Sequence, residues 1–340
     1  MYNTDVTQQS SRDEAGGKAV RAFITGITGF AGSHLAEFLL AHTKLEVSGL
    51  VHDRTDNIAH LDGRLALFQG NLLDDAAVRK VLSDARPDYI FHLAGQAFVP
   101  SSLVCPWDTF EINVHSQLNV LEAVAHLFPQ TKVLVVGSAE EYGLVRPQEL
   151  PVTEDNPLRP DSPYGVSKVA QDMLGLQYFL RHKIAVIRVR PFNHIGPRQS
   201  ERFVASTLAR QLAEIEAGLK LPVLQVGNLD TQRDFTDVRD TVRAYYLLLE
   251  RGTPGEVYNL GSGHAHGIRE LLDILLSHIR VKVDVRVDET RLRPSDVPVS
   301  YCDYSRLHAV TGWRPAISFE QGLLDTLDYW RARVSQHLKI

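Results

Sequence analysis

Short apolar runs alternate with segments of helical periodicity along the first part of the chain. The runs that predict buried strands occupy residues 19–24, 46–51, 67–72, 89–95, 132–138 and 185–192. Apolar positions three and four residues apart predict helices at residues 33–42, 75–84 and 107–127, and a further helix that begins near residue 164. This alternation predicts an α/β fold with a parallel, doubly wound sheet and a ligand crevice at the carboxyl ends of its strands.

The pattern loosens after residue 195. Short strands predicted at residues 223–226, 257–260 and 283–287 alternate with helices predicted at 203–217, 237–250, 268–278 and 319–337. Single arginines stand in the turns of this region, which favours a second, smaller lobe that caps the sheet and holds an anionic substrate. The polar residues 1–18 fit a disordered leader.

Composition limits the classes of function. The chain has 340 residues and a net charge of −5, which argues against a nucleic-acid-binding face. No apolar run approaches the ~20 residues of a membrane span, and no signal-peptide pattern is present, so no membrane partner and a cytoplasmic location are expected. Cys105 and Cys302 lack the spacing of a disulfide framework or a metal site, and no metal is predicted.

A glycine-rich turn follows the first predicted strand. Gly26, Gly29 and Gly32 lie between that strand and the next helix. Glycines at such a turn let the backbone approach a pyrophosphate, whose charge meets the free N–H groups at the start of the helix. The context predicts a Rossmann-type dinucleotide site, and the same turn also provides Thr28, Phe30 and Ala31.

Residues at the carboxyl ends of the second, third and fourth predicted strands indicate how a cofactor is bound. His52, Asp53 and Arg54 follow the second strand. An acid at this tip would bond the ribose hydroxyls of NAD, whereas a cation would accommodate the 2′-phosphate of NADP. Both kinds are present; His52 and Arg54 favour NADP, and NAD stays possible. Further cofactor contacts are predicted at the ends of the third and fourth strands, at Asn71, Leu72, Leu93, Ala94 and Gly95.

Tyr164 and Lys168 form the most reactive pair in the sequence. Their spacing of four residues places a phenol and an ammonium about one turn apart on one helical face. A neighbouring cation favours the phenolate, so this arrangement predicts a phenol whose pKa is lowered toward neutrality and which can exchange a proton. Ser138 lies at the carboxyl end of the fifth predicted strand, at the edge where ligands bind.

Together these motifs resemble the extended short-chain dehydrogenase/reductase family, and the resemblance covers essentially everything from Val20 onward. Residues 137–143, 190–197 and 227–240 are similar to the sugar-nucleotide branch of that family. The last of these motifs, together with residues 292–298, looks most like the GDP-6-deoxy-D-mannose reductases, whose close relatives are the GDP-mannose 4,6-dehydratases.

The resemblance implies an organisation and an activity. It implies a Rossmann domain at residues 19–195 and, at 196–340, mainly a nucleotide-sugar-binding lobe with some segments returning to the first domain. Tyr164 would be the general acid/base, Lys168 would hold the ribose and lower the pKa of the phenol, and Ser138 would bond the reacting sugar oxygen. The implied reaction reduces the C4 ketone of a GDP-linked 4-keto-6-deoxy sugar to GDP-D-rhamnose. The predicted substrate contacts are Ser102, Ser138, Glu140, Asn193, Arg202, Arg233, Arg293 and Asp296.

Other functions stay open at this stage. A dehydratase would need an additional carboxylate base, and Glu140 stands where the dehydratases carry that glutamate, although Ala139 replaces their usual polar neighbour. An epimerase acting at C4 needs the same serine, tyrosine and lysine. A regulator without turnover is disfavoured, because such proteins commonly lose the tyrosine or the lysine. Relatives in this family pair through their two long helices, so a homodimer is expected through residues 107–127 and 164–181.

Overall fold

The structure, a computed structural model, describes residues 19–52, 55–289 and 297–337. Its strands are β1 Arg21–Thr25, β2 Glu46–Val51, β3 Ala66–Gln69, β4 Tyr89–His92, β5 Lys132–Val136, β6 Val186–Pro191, β7 Asn193–Ile195, β8 Val223–Val226, β9 Gln232–Asp237, β10 Val257–Leu260, β11 Ala265–Gly267, β12 Asp284–Val287 and β13 Val299–Ser300. Its helices are α1 Phe30–His42, α2 Asp75–Ala85, α3 Val99–Val104, α4 Pro106–Phe110, α5 Ser116–Leu127, α6 Pro163–His182, α7 Val204–Glu216, α8 Val238–Arg251, α9 Ile268–Ser277, α10 Ser305–Thr311 and α11 Phe319–His337.

A parallel sheet forms the centre of the molecule. Within the described residues it has seven strands in the order β10-β6-β5-β4-β1-β2-β3. The strand order reverses between β1 and β4, where neighbouring connections run to opposite sides and open a crevice at the carboxyl ends. The predicted doubly wound α/β fold is confirmed.

Helices cover both faces of this sheet. One apolar core packs α1, α8 and α10 against it, and a second core packs α2, α5 and α6 against the opposite face. The central strands are buried on both faces because of this double cover, and β6 is buried at every position. Most of their residues are apolar, which explains why the sequence pattern identified these strands, although β6 also contains the buried Arg188 and Arg190.

The later part of the chain builds a smaller lobe. Strand β9 pairs with β7, β11 and β13, and β8 pairs with β12. Helices α7, α9 and α11 pack together over a separate apolar core. Strand β10 and helix α8 belong instead to the central sheet and its cover. The division at residue 195 stays a prediction, and its leader at residues 1–18 lies outside the described residues.

No helix within the described ranges is long and apolar enough to cross a membrane. Those ranges also contain no group of three or more His, Cys, Asp or Glu side chains arranged to hold a metal ion.

Candidate active site

The glycine turn lies where β1 enters α1, beside the end of β4. Gly26 has φ +71°, and a Cβ there would lie 2.8 Å from the backbone nitrogen of Ala94. A Cβ on Gly32 would lie 2.1 Å from the Gly26 carbonyl oxygen. Only glycine allows the strand end, the turn and the helix to pack this closely.

The N-terminus of α1 is open to an anion. Gly29 is its N-cap, no side chain of the described residues caps it, and its first turn contains no acidic residue. Its backbone N–H groups and its positive dipole end therefore suit a phosphate. Phe30, the first helical residue, stacks on His194 of β7 at 5.6 Å between ring centroids and 10° between planes. The turn thus fits the pyrophosphate of a dinucleotide.

The end of β4 is tied to β1 through Thr25. The Thr25 hydroxyl lies 3.0 Å from Nδ1 of His92 and accepts the backbone N–H groups of Leu93 at 3.1 Å and Ala94 at 3.2 Å. Both residues were predicted as cofactor contacts. These bonds hold the backbone after β4 directly against the glycine turn, where a bound dinucleotide would pass.

Asn113 organises the loop after β4, and sequence reasoning missed it. It lies in a π-helical turn, Glu111–His115, between α4 and α5. Its Oδ1 accepts the backbone N–H of Gln96 at 2.7 Å, and its Nδ2 donates to the Gln96 carbonyl at 3.2 Å and to the Ser167 hydroxyl at 2.9 Å. The wider turn aims this side chain at the loop, and π-turns occur frequently at functional sites.

Tyr164 and Ser138 face each other across the crevice. Tyr164 lies in the first turn of α6, and Ser138 follows β5. The Ser138 hydroxyl bonds the phenol and lowers its pKa, but burial has the larger effect and raises the pKa of Tyr164 above its ordinary value. The nearby carboxylate of Glu140 raises that pKa further. Sequence reasoning expected a lowered pKa; it could not see that the side chain is only 7% exposed.

Lys168 lies one turn beyond Tyr164 on α6. Its Nζ is 5.9 Å from the centroid of the Tyr164 ring and donates to the Val136 carbonyl at 2.9 Å. Burial lowers the pKa of Lys168 to about 8, against a raising effect of Glu141. A Cβ placed on Gly95 would lie 3.9 Å from this ammonium. The structure therefore brings Lys168, Gly95 and Tyr164 together.

The outer cofactor contacts lie at the ends of β2 and β3. His52 directly follows β2, and Asn71 and Leu72 follow β3. The Asn71 side chain accepts the Leu73 N–H at 3.0 Å, and the Leu72 carbonyl accepts Nδ2 of Asn119 at 2.9 Å. Arg54 lies outside the described residues, so its contact with a cofactor stays a prediction.

The predicted substrate contacts are more scattered. Ser102 is fully buried and donates to the Val99 carbonyl at 2.7 Å, so its hydroxyl bonds within α3. The Arg202 guanidinium lies over the ring of Phe98, 5.7 Å from its centroid. Asn193 is exposed at the start of β7.

Arg233 points toward the last predicted substrate motif. It lies in β9 and donates to the Val297 carbonyl at 2.7 Å. Val297 directly follows Asp296 in the chain. Arg293 and Asp296 are outside the described part of the chain.

Comparisons with known proteins agree with this geometry. The family model for GDP-mannose 4,6 dehydratase matches residues 23–326. A GDP-6-deoxy-D-mannose reductase of Pseudomonas aeruginosa is 37% identical over 317 residues, which cover 93% of this chain and 99% of that protein. A GDP-mannose 4,6 dehydratase of Homo sapiens is 30% identical and covers 88% of each chain.

Structural similarity covers the same range. The structure of RMD from Pseudomonas aeruginosa complexed with NADPH superposes with a TM-score of 0.81 and 35% identity, over 93% of this chain and 100% of that chain. The match extends across the glycine turn, the crevice and the smaller lobe, and the resemblance inferred from the motifs is confirmed. The chain therefore belongs to the GDP-mannose 4,6-dehydratase family, as an NAD(P)-dependent enzyme of the extended short-chain dehydrogenase/reductase type.

Proposed function

We propose that this protein reduces the C4 ketone of GDP-4-keto-6-deoxy-D-mannose to GDP-6-deoxy-D-mannose, also called GDP-D-rhamnose. The observation that carries the proposal is the pairing of Ser138 and Tyr164 beside the glycine turn. The similarity to a GDP-6-deoxy-D-mannose reductase over 93% of the chain supports the substrate. When bound, NADPH supplies the hydride. We propose NADP as the cofactor because the structural relative is in complex with NADPH, and NAD stays possible.

Each residue at the crevice has a task in this reaction. The glycine turn and the start of α1 hold the pyrophosphate, and Lys168 and Tyr164 are placed for the ribose. Ser138 bonds the C4 oxygen, and Tyr164 donates its proton to that oxygen as negative charge develops there. Both interactions strengthen in the transition state, where stabilisation raises the rate.

The protonation state of Tyr164 is compatible with the reductive direction. A reductase begins with a phenol that holds its proton, whereas oxidation of a sugar hydroxyl begins with a phenolate. Burial raises the pKa of Tyr164, and the carboxylates of Glu140 and Glu141 raise it further, so the phenol is protonated at neutral pH. The side chain is therefore in the form that a proton donor requires.

A dehydratase is the second candidate, and Glu140 supports it. Removal of the C5 proton requires a carboxylate base near the proton-transferring phenol. The Glu140 carboxylate is close enough to Tyr164 to raise its pKa, so it could serve as that base.

The assay that separates the two uses purified protein and two substrates. Consumption of NADPH with GDP-4-keto-6-deoxy-D-mannose supports the reductase. Conversion of GDP-mannose to the keto sugar with catalytic cofactor supports the dehydratase instead. Inactivity with both substrates would contradict both functions.

We further infer a homodimer that pairs through α6 and through the helical segment formed by α4 and the π-helical turn Glu111–His115. Val166, Met173 and Leu180 of α6 recur every seven residues and are 42%, 40% and 57% exposed. Ile112 and Trp107 add exposed apolar surface in the adjoining helical segment, at 39% and 75%. A helical stripe of this kind suits packing against a second copy. The proposed location is the cytoplasm.

Light scattering tests the dimer with matched variants. Leu180→Glu should convert the dimer to a monomer, because it buries a charge in the proposed contact. Leu221→Glu places the same charge at a 79% exposed leucine of the smaller lobe and should leave the dimer intact. A wild-type monomer, or a dimer that persists in Leu180→Glu, would contradict the proposed interface.

A further inference from the structure

Glu141 has a buried carboxyl group that contacts the backbone of Ser138. The side chain is fully buried at the end of a short 3-10 turn, Ala139–Glu141. Its Oε1 accepts the backbone N–H of Ser138 at 2.8 Å. A Cβ on the preceding Gly137 would lie 2.0 Å from that oxygen, so the turn has no room for another residue there. Glu141 therefore fixes the backbone that carries the Ser138 hydroxyl.

The second oxygen of Glu141 faces two other elements. Oε2 lies 2.9 Å from Nε of Arg190 on β6, and the carboxyl shares a hydrogen bond with Asp172 of α6. Arg190 donates through the same Nε to Asp172 at 2.8 Å. Asp172 lies one turn beyond Lys168, on the helix that also carries Tyr164. A continuous buried network thus links Ser138 to that helix.

The pKa values of Glu141 and Asp172 are shifted in opposite directions. Burial and the neighbouring Asp172 raise the pKa of Glu141 well above its usual value, although Arg190 opposes this. Burial would also raise the pKa of Asp172, but Arg190 and Arg188 hold that pKa below its usual value. With its proton in place, Glu141 donates to the Asp172 carboxylate while its other oxygen accepts the Ser138 N–H.

We propose that Glu141 is a positioning residue, which holds the Ser138 hydroxyl opposite Tyr164 by bonding the Ser138 amide with one oxygen and Asp172 of α6 with the other. This inference rests on the proposed reductase function. Ser138 and Tyr164 belong to different elements, and they act on one sugar oxygen only if their separation is fixed. A displacement of about 1 Å at a reacting centre can cost ~10²-fold in rate.

Two substitutions separate positioning from simple burial. Glu141→Gln keeps an oxygen for the Ser138 amide and an N–H for Asp172, so it reproduces the protonated acid. Glu141→Met has a similar size but can make neither bond. We expect Glu141→Gln to keep kcat within a few-fold of wild type and Glu141→Met to lose about tenfold or more, with the Kd for NADPH little changed in both.

Glu154 provides the matched control. Its side chain is 4% exposed, it accepts the Asn259 N–H at 2.8 Å and it pairs with Arg306. Neither contact involves Ser138 or α6. Arg190 donates to the backbone carbonyl of Glu154 at 3.3 Å, and Glu154→Met keeps that carbonyl. Glu154→Met should lower the unfolding temperature but leave kcat near the wild-type value when assayed below that temperature.

The outcomes decide the proposal. It is overturned if Glu141→Gln and Glu141→Met have equal kcat, or if Glu154→Met loses as much kcat as Glu141→Met. If Glu141→Met does not fold, Glu141→Asp replaces it, because the shorter side chain cannot reach both partners; Glu141→Asp must then lose kcat relative to Glu141→Gln.

Hydrogen exchange separates this inference from the proposed function. The Ser138 amide should stay protected in wild type and in Glu141→Gln, and it should exchange faster in Glu141→Met or Glu141→Asp. This measurement needs no substrate. An inactive wild-type protein would contradict the reductase function, but exchange of the Ser138 amide would still test whether Glu141 positions Ser138. Equal protection in all variants overturns the proposal.

Discussion

The Ser138 hydroxyl bonds the phenol of Tyr164 although the two side chains come from different elements, the loop after β5 and the first turn of α6. Their meeting depends on the packing of α6 against the sheet and on the short turn after β5. Both groups can therefore reach one substrate oxygen, which is the geometry on which the proposed reduction depends.

Replacement of Tyr164 tests the proton donor. Tyr164→Phe keeps the ring but removes the hydroxyl, and general acid catalysis typically contributes ~10²–10⁴-fold, so kcat should fall by that order. Binding of NADPH, followed by fluorescence titration, should change little. Turnover close to wild type would remove the role assigned to this phenol.

Replacement of Glu140 distinguishes the two candidate reactions. Glu140→Gln should leave reduction of the 4-keto sugar within a few-fold of wild type, because no step of that reaction uses the carboxylate. A dehydratase should lose about 10²-fold or more in the formation of the keto sugar, because its base is removed. A large loss of reductase activity would show that Glu140 has a direct part in reduction.

The glycine turn allows a matched pair of substitutions. Gly26→Ala and Gly63→Ala both place a side chain at a positive φ, +71° and +73°. Each should lose about 1 kcal/mol of stability for that reason. Only Gly26→Ala also forces a Cβ to within 2.8 Å of the Ala94 backbone, since no described atom lies within 4 Å of the Cβ position at Gly63.

Isothermal titration with NADPH should therefore show a large loss of affinity in Gly26→Ala and an unchanged affinity in Gly63→Ala. Equal affinities would mean that the dinucleotide does not pass this turn.

The buried ammonium of Lys168 predicts a pH dependence of stability. Burial lowers the pKa of Lys168 from 10.5 to about 8, so the unfolded state binds more protons than the folded state between these values. The free energy of unfolding of wild type, relative to Lys168→Met, should therefore rise as pH increases from about 8 to 10.5. The full rise should be about 3 kcal/mol, and chemical denaturation at several pH values measures it. A constant difference between the two proteins would contradict the lowered pKa.

The sequence predicted the parts of this site that depend on short-range patterns. The glycine spacing between a strand and a helix defines the turn at Gly26, and the four-residue spacing places Lys168 one turn from Tyr164. The buried strands of the central sheet were also predicted, because parallel strands covered on both faces are mostly apolar.

Other features depend on packing that no local pattern records. Asn113 reaches the Gln96 backbone because a π-turn widens the helix, and the sequence there predicted an uninterrupted helix. Strand β9 was missed because its residues are mostly polar and charged. The raised pKa of Tyr164 and the contacts of Glu141 arise from burial, which residue spacing cannot give.

Strand β10 has a consequence for engineering the molecule. The chain leaves the central sheet after β6, returns for α8 and β10, leaves again for β11 and α9, and returns once more for α10. A fragment that stopped at residue 195 would leave β6 as a bare edge and remove α8 and α10, but not α1, from one face of the sheet. Exchanging the smaller lobe with that of a relative would thus require several discontinuous grafts, and a single proteolytic nick between β6 and β10 would not release a self-sufficient nucleotide-binding fragment.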